Sequence, residues 1–259
     1  IGAFSRLFEG VGRSFLGGFF FVLLSSVLWF FGIHGSDTLE GVMQEYFVPG
    51  LAENQSALAA GVEPTCILTK QFFDCFVLIG GCGTTICLLI AILLFSRNSS
   101  RRRLGMAATV PMIFNMNEIM VFGLPIIYNP IMLSPFLVTP LVCYSTAYFA
   151  ISSGMVPMIT GEVEWTTPIL IGGYYATGDI SGSILQLVNV VLGVLIYMPF
   201  VRLLDWQSDD EARRVFDRFI AYFKENETAL AGKRLIEQQD VYGEFARNLT
   251  SELRYDIRK

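Results

Sequence analysis

Four runs of this chain contain no Asp, Glu, Lys or Arg: Leu16–Ile33, Cys75–Phe95, Ile131–Ile151 and Ile184–Val201. A helix rises about 1.5 Å per residue, so roughly 20 residues cross a bilayer core of about 30 Å. The first run has 18 residues and the others are of similar length, so each is expected to span a membrane. Bulk composition agrees. The chain is 53% hydrophobic and 16% charged, with a mean hydropathy of +0.53, whereas soluble domains carry about a quarter charged residues.

Charge is unevenly spread. Of the 41 charged residues, 22 lie in 204–259, which predicts a membrane domain over 1–205 followed by a cytoplasmic helical tail or linker over 206–259. A net charge of −5 with no basic stripe argues against a nucleic-acid partner. The five cysteines form no CxxC pair and His34 is the one histidine, so neither a zinc site nor a bound cofactor is expected; the thiols read as small buried apolar groups. The chain opens with Ile1, and no basic segment with a small-residue cleavage site precedes the first apolar run, so it is expected to be an excerpt of a longer protein.

Along the chain, Phe4, Leu7, Phe8, Val11 and Phe15 recur at helical spacing, as in an amphipathic helix lying in the membrane interface. The stretch 34–74 carries scattered charges and reads as a long external segment, partly re-entrant. Gly80, Gly81 and Gly83 near the start of the second run predict a broken helix where the backbone approaches something closely. Residues 96–103 carry four arginines between two apolar stretches and read as a cytoplasmic loop. In the tail, Ser208 to Glu211 resembles a capping box, leading into a helix over about 209–224 that presents Phe216, Phe219 and Phe223. Trp29 is expected near an interface.

The stretch 106–130 is apolar on average but interrupted by Pro111, Asn115, Asn117, Glu118, Gly123, Pro125, Asn129 and Pro130. Broken backbone at membrane depth is tolerated only inside protein or along a watery cavity, which predicts a re-entrant hairpin. An ionisable group there is expensive and marks a functional candidate, so Glu118 is the leading one. Amides at Asn115, Asn117 and Asn129 either furnish a site for a hydroxylated ligand or satisfy broken helix ends. His34 beside Gly35 offers a donor and an acceptor, and Trp165 an indole suited to stacking on a sugar ring or anchoring at an interface. The fold class that follows is all-α: a polytopic membrane protein with about four transmembrane helices, re-entrant hairpins and an amphipathic helix.

The residues from Phe114-Asn115-Met116-Asn117-Glu118 through Phe122-Gly123-Leu124-Pro125-Ile126 to Asn129-Pro130 resemble the signature of the lactose/cellobiose/diacetylchitobiose type of enzyme IIC permease, from the sugar phosphotransferase system. Trp29-Phe30-Phe31-Gly32-Ile33-His34-Gly35, Gly80-Gly81-Cys82-Gly83-Thr84, Glu164-Trp165-Thr166-Thr167-Pro168 and Tyr197-Met198-Pro199-Phe200 continue it in order over roughly 1–205. Ile119 and Glu164 stand where the family usually has proline. The resemblance implies a bacterial inner-membrane protein that binds a disaccharide in its carboxy-terminal half and dimerises through an amino-terminal half. It also implies roles: Glu118 would bond the sugar hydroxyl that is phosphorylated, His34 and Asn117 would add polar contacts, and Trp165 would pack on the sugar. The phosphoryl donor would be a cysteine of a separate cytoplasmic IIB protein. Arg247 to Lys259 resembles the opening helix of an EAL cyclic di-GMP phosphodiesterase domain, which implies a second reading of the chain as a membrane sensor fused to a signalling enzyme.

Overall fold

The computed structural model describes residues 8–225 apart from 9, 11 and 125, with backbone alone for 212, 219 and 222–225. The chain divides into two compact units, Ile1–Asp205 and Trp206–Lys259. The described residues form helices and connecting turns, with no strand among them. The interfacial helix expected over 1–15 falls largely outside the described residues, and the EAL-like segment 247–259 falls wholly outside them.

Helix α1 (Phe15–Phe30) begins at Ser14, whose hydroxyl accepts the Gly17 N–H. It is a shorter apolar helix, while Lys70–Phe95, Pro130–Ser152 and Ile180–Arg218 are each long and apolar enough to cross a membrane. These four correspond to the four uncharged runs. Trp29 is 6% exposed, so it is packed inside the protein rather than anchored among lipid headgroups.

The segment 34–74 is partly helical and packs against the spans. It contains helices α2 (Gly35–Thr38) and α3 (Pro49–Ala59), a helical turn with a π-helical continuation between them, and Lys70–Phe72 at the start of the second span. Leu39, Val42 and Phe47 are buried, while Asp37, Glu40 and Glu45 between them are exposed. Phe47 meets Phe73 and Phe21 at ring-centroid distances of 4.7 and 5.3 Å, and Phe72 meets Tyr144 at 5.6 Å. These rings form the centre of one apolar core.

The second span is broken where the glycines predict. A π-helical turn, Phe73–Val77, is followed by Gly80, Gly81 and Gly83 at φ values of 72°, 88° and 73°, and helix resumes as α4 (Thr85–Phe95). Such a break strands carbonyls, each costly inside a membrane. Side chains take them up in turn. Gln186 Nε2 donates to the Cys75 carbonyl (2.7 Å), Asn189 Nδ2 to Phe76 (2.8 Å) and Thr84 Oγ1 to Val77 (2.8 Å). Thr85 Oγ1 donates to Gly80 (2.7 Å), Asn117 Nδ2 to Cys82 (3.1 Å) and the Tyr197 hydroxyl to Gly83 (2.6 Å).

A short helix, α8 (Ile171–Thr177), precedes the last one, α9 (Ile180–Glu225), and three of those donors share one face of α9. Gln186, Asn189 and Tyr197 are buried there, whereas Ile184, Leu187, Val188, Val191 and Leu195 on the other face are all exposed. Polar inward and apolar outward is the reverse of a soluble surface helix. It suits lipid, where helices associate through packing and hydrogen bonds rather than by escaping water.

After α4 the chain turns within three residues into α5 (Ser99–Ile113), so the arginine stretch is mostly the first turn of a helix, not a loop. Asn98 caps it, its Oδ1 accepting the N–H groups of Ser100 (3.0 Å) and Arg101 (3.1 Å). Cations oppose the helix dipole at this end, which hides the start from a charge-based reading. Asp205 compensates: its carboxylate accepts from Ser96 Oγ (2.9 Å) and the Arg97 N–H (2.6 Å) and pairs with Arg101. Helix α6 (Glu118–Gly123) then folds back on α5, with Gly123 so close to Leu104 that an added Cβ would lie 2.6 Å from Leu104 Cδ1. The two helices make a hairpin with residues 114–117 at its tip. Asn129 caps α7 (Pro130–Ser152), accepting from the Ile131 N–H at 3.0 Å.

In the second unit, α9 runs without interruption to Glu225. Ser208 to Glu211 therefore lies within a helix already under way and does not start one. Asp210 and Arg214 pair one turn apart at 2.6 Å. Phe216 is exposed, and the side chains of Phe219 and Phe223 lie outside the described residues.

Candidate functional site

The hairpin tip is built around Asn115, which holds φ +62°, a conformation asparagine tolerates better than most residues. Its Oδ1 accepts the Gly80 N–H at 2.8 Å, and its Nδ2 donates to the carbonyls of Trp165 and Thr167. One side chain thus ties together the tip, the broken span and the segment carrying Trp165. Asn117 is buried beneath it and donates to Cys82 O and to Thr85 Oγ1 (3.0 Å). Gly81 lies against it so closely that a Cβ there would be 2.5 Å from Asn117 Cγ. The amides at 115, 117 and 129 therefore hold backbone and, for Asn117, the Thr85 hydroxyl as well; the Asn117 side-chain oxygen has no hydrogen-bond partner among the described residues.

Glu118 follows as the first residue of α6, is solvent-accessible, and lines a cavity of about 410 Å³. That volume falls within the roughly 300–1,000 Å³ of small-molecule sites. His34, Asn117 and Trp165 line the same cavity, so the four candidates, which span 132 positions from His34 to Trp165, converge on one space.

His34 caps α2: its Nδ1 accepts the Asp37 N–H at 3.2 Å. In the neutral ring that bond leaves the proton on Nε2, available to an outside acceptor; in the imidazolium form Nδ1 instead faces Asp37 Oδ1 at 3.1 Å. The ring lies 4.5 Å from Trp29. Trp165 is about half exposed at 48%, leaving ring surface open to a ligand. Its backbone is fixed by a turn in which the Thr167 N–H reaches Glu164 O at 2.9 Å.

Sequence reasoning missed part of the lining. Asp37, Glu40, Lys70 and Asp74, together with Trp29 and Gly81, face the cavity too. They sit in the stretch read as external, and the available signal was a Lys and an Asp four residues apart immediately before an apolar run. All five cysteines are free thiols, four of them buried, and Cys82 is the one that reaches the cavity.

Residues 2–140 match the family described as "Phosphotransferase system, EIIC". The chain is 40% identical to the lichenan permease IIC component of Bacillus subtilis over 70% of its length and 41% of that protein's. It is also 40% identical to the cellobiose-specific EIIC component of Geobacillus stearothermophilus, over 78% of this chain and 46% of that one. The crystal structure of ChbC, the IIC component of the N,N′-diacetylchitobiose-specific phosphotransferase system, matches with a TM-score of 0.76 and 41% identity over 81% of this chain and 49% of that one. The chain spans about half the length, or less, of these relatives. With a family match over more than half its residues and this fold, the chain belongs to the EIIC family of the phosphotransferase system.

Proposed function

We propose that this chain is the sugar-binding part of a phosphotransferase permease and holds a β-linked disaccharide in the cavity lined by His34, Asn117, Glu118 and Trp165. The observation that carries the reading is their convergence on one cavity inside a membrane fold. Lichenan, cellobiose and diacetylchitobiose, which appear in the relatives' names, are all β-linked glycans. Glu118 takes the hydroxyl that receives the phosphoryl group, a weak nucleophile that a positioned carboxylate can orient and deprotonate. As the oxygen–phosphorus bond forms, the donor's sulfur–phosphorus bond breaks and the hydroxyl proton passes to Glu118. The donor is the phosphocysteine of a cytoplasmic IIB protein, and in-line positioning supplies the remainder of the catalysis. His34 Nε2 donates to a sugar oxygen, the Asn117 side-chain oxygen accepts from a hydroxyl, and Trp165 covers the apolar face of a ring. The bilayer is the bacterial inner membrane, with residues 97–103 on its cytoplasmic side, and two copies pair through segments outside this chain.

The test is direct binding of cellobiose, N,N′-diacetylchitobiose, lactose and maltose to the full-length protein in detergent micelles. Selective binding of one or more β-linked sugars over α-linked maltose is expected. Equal indifference to all four would overturn the reading.

A further inference from the structure

The cations of the membrane unit gather at one corner, away from the cavity. Residues 1–205 hold eight lysines and arginines, and five of them are Arg97, Arg101, Arg102, Arg103 and Arg202. Contacts bring these five together. Arg202 lies over the ring of Phe95, the last residue of α4, at 5.7 Å. Asp205 accepts the Arg97 N–H and pairs with Arg101, whose guanidinium also donates to the Leu204 carbonyl at 2.9 Å. Arg101 is thereby spent on structure. Arg97, Arg102 and Arg202 are exposed, and their guanidiniums have no ion-pair partner among the described residues. Arg103, also exposed, makes a long contact of 3.4 Å to Ser100 Oγ. Like charges crowded in this way repel one another, and an anion that settles among them removes that cost.

The surroundings of the arginines identify the anion. The corner stands where two apolar spans end: Lys70–Phe95 closes just before Arg97, and the uncharged run of α9 closes at Val201, just before Arg202. On α5, Arg102 heads a row at helical spacing with Met106 and Val110, and all three are exposed. On α9, Arg202 shares a face with Leu195 and Val191, again all exposed. Each row has a cationic head and an apolar tail. A free anion would use the head and leave the tail unmatched. A phosphate joined to acyl chains matches both.

We propose that Arg97, Arg102, Arg103 and Arg202 form a binding site for the headgroup of an anionic phospholipid, whose acyl chains lie along the apolar rows of α5 and α9. Guanidinium groups bind phosphate oxygens through paired, charge-assisted hydrogen bonds, and basic clusters at the ends of membrane spans attract anionic lipids. A zwitterionic lipid carries its own cation into the cluster and so gains little there. A lipid held by Arg102 and Arg202 together braces α5 against α9, the two helices that Arg101 and Asp205 also join. The inference rests on the membrane fold and is independent of which sugar the cavity holds.

The test uses the full-length protein in a non-ionic detergent, with dioleoyl phosphatidylglycerol, dioleoyl phosphatidylcholine or inorganic phosphate added. Bound lipid is counted by native mass spectrometry and stabilisation is followed by thermal unfolding. The unaltered protein should retain phosphatidylglycerol over phosphatidylcholine by at least about tenfold, as several arginines near a headgroup allow, and the preference should fall as salt is raised. The triple variant Arg97→Gln, Arg102→Gln, Arg202→Gln keeps Arg101 and its bonds to Asp205. Its preference should shrink to about twofold or less, with phosphatidylcholine retention unchanged. Equal retention of the two lipids by the unaltered protein overturns the proposal, and so does a variant that keeps the preference. Stabilisation by inorganic phosphate equal to that by phosphatidylglycerol would make the corner a site for a free anion and overturn the lipid assignment. Should the triple variant not fold, Arg102→Gln, which breaks no ion pair, must lower the preference by about fivefold, and an unchanged preference overturns the proposal.

Discussion

The side-chain amide of Asn115 donates to the backbone carbonyl of Trp165, fifty residues along the chain. The tip of the α5–α6 hairpin therefore sets the position of an aromatic ring that lines the same cavity as Glu118. Because Asn115 also accepts from Gly80, the link extends to the broken span.

Replacing Asn115 by Asp keeps the acceptor for Gly80 and removes both donors, leaving the carbonyls of Trp165 and Thr167 facing a carboxylate. The substitution is expected to weaken disaccharide binding by about ten- to a hundredfold, in line with about 1–3 kcal/mol for buried groups left unpaired. Trp165 fluorescence in micelles should lose its response to sugar. Unchanged affinity would show that the ring does not depend on this bond.

How far the fold was legible follows from what produces each feature. The four spans were readable because lipid demands long uncharged runs, and the break at Gly80 to Gly83 because positive φ demands glycine. The hairpin was readable from Pro111, Asn115 and Gly123 for the same steric reasons. Helix α5 was not, since its first turn carries arginines that disfavour a helix start and the compensating Asp205 lies 104 positions beyond Arg101. Asn117 was nominated as a ligand contact, yet its donors serve Cys82 and Thr85; sequence names a polar side chain but not which partner reaches it first. Lys70 and Asp74 were passed over because charges in a mixed segment resemble a solvated loop until packing turns them inward.

The broken span provides a stability test. Tyr197→Phe removes the hydroxyl that satisfies the Gly83 carbonyl and leaves that carbonyl buried and unpaired, which costs about 1–3 kcal/mol. Gly83→Ala should be worse, since φ is +73° and the added Cβ would lie 2.2 Å from Phe136 Cε2. Thermal unfolding in a fixed detergent should rank the unaltered chain above Tyr197→Phe and that above Gly83→Ala.

Asp205 and Arg101 pair with side chains 11% and 15% exposed. Arg101→Ala strands the Asp205 carboxylate and should destabilise by about 3–5 kcal/mol, whereas converting both residues to leucine should cost clearly less. The pair also joins the start of α5 to α9, so cysteines introduced at Arg103 and Leu203 should both be labelled by an impermeant reagent only from the cytoplasmic side. Labelling from opposite sides would contradict the topology.

Glu118 provides the sharpest test of the proposed chemistry. It begins α6 at the mouth of a break, is reachable from the cavity, and has no hydrogen-bond partner among the described residues that would spend its carboxylate on structure. Glu118→Gln preserves size, one acceptor and the helix start, but its amide cannot take the sugar's proton. Loss of a general base lowers rates by about 10²–10⁴-fold, whereas a hydrogen bond to the hydroxyl survives the change. Sugar phosphorylation by the phosphorylated IIB partner, followed in membrane vesicles, is therefore expected to fall by at least about a hundredfold. Disaccharide affinity, measured in micelles on the same variant, should change by no more than a few-fold. Equal losses in both would make Glu118 a binding group and not a base, and no loss in either would remove it from the site.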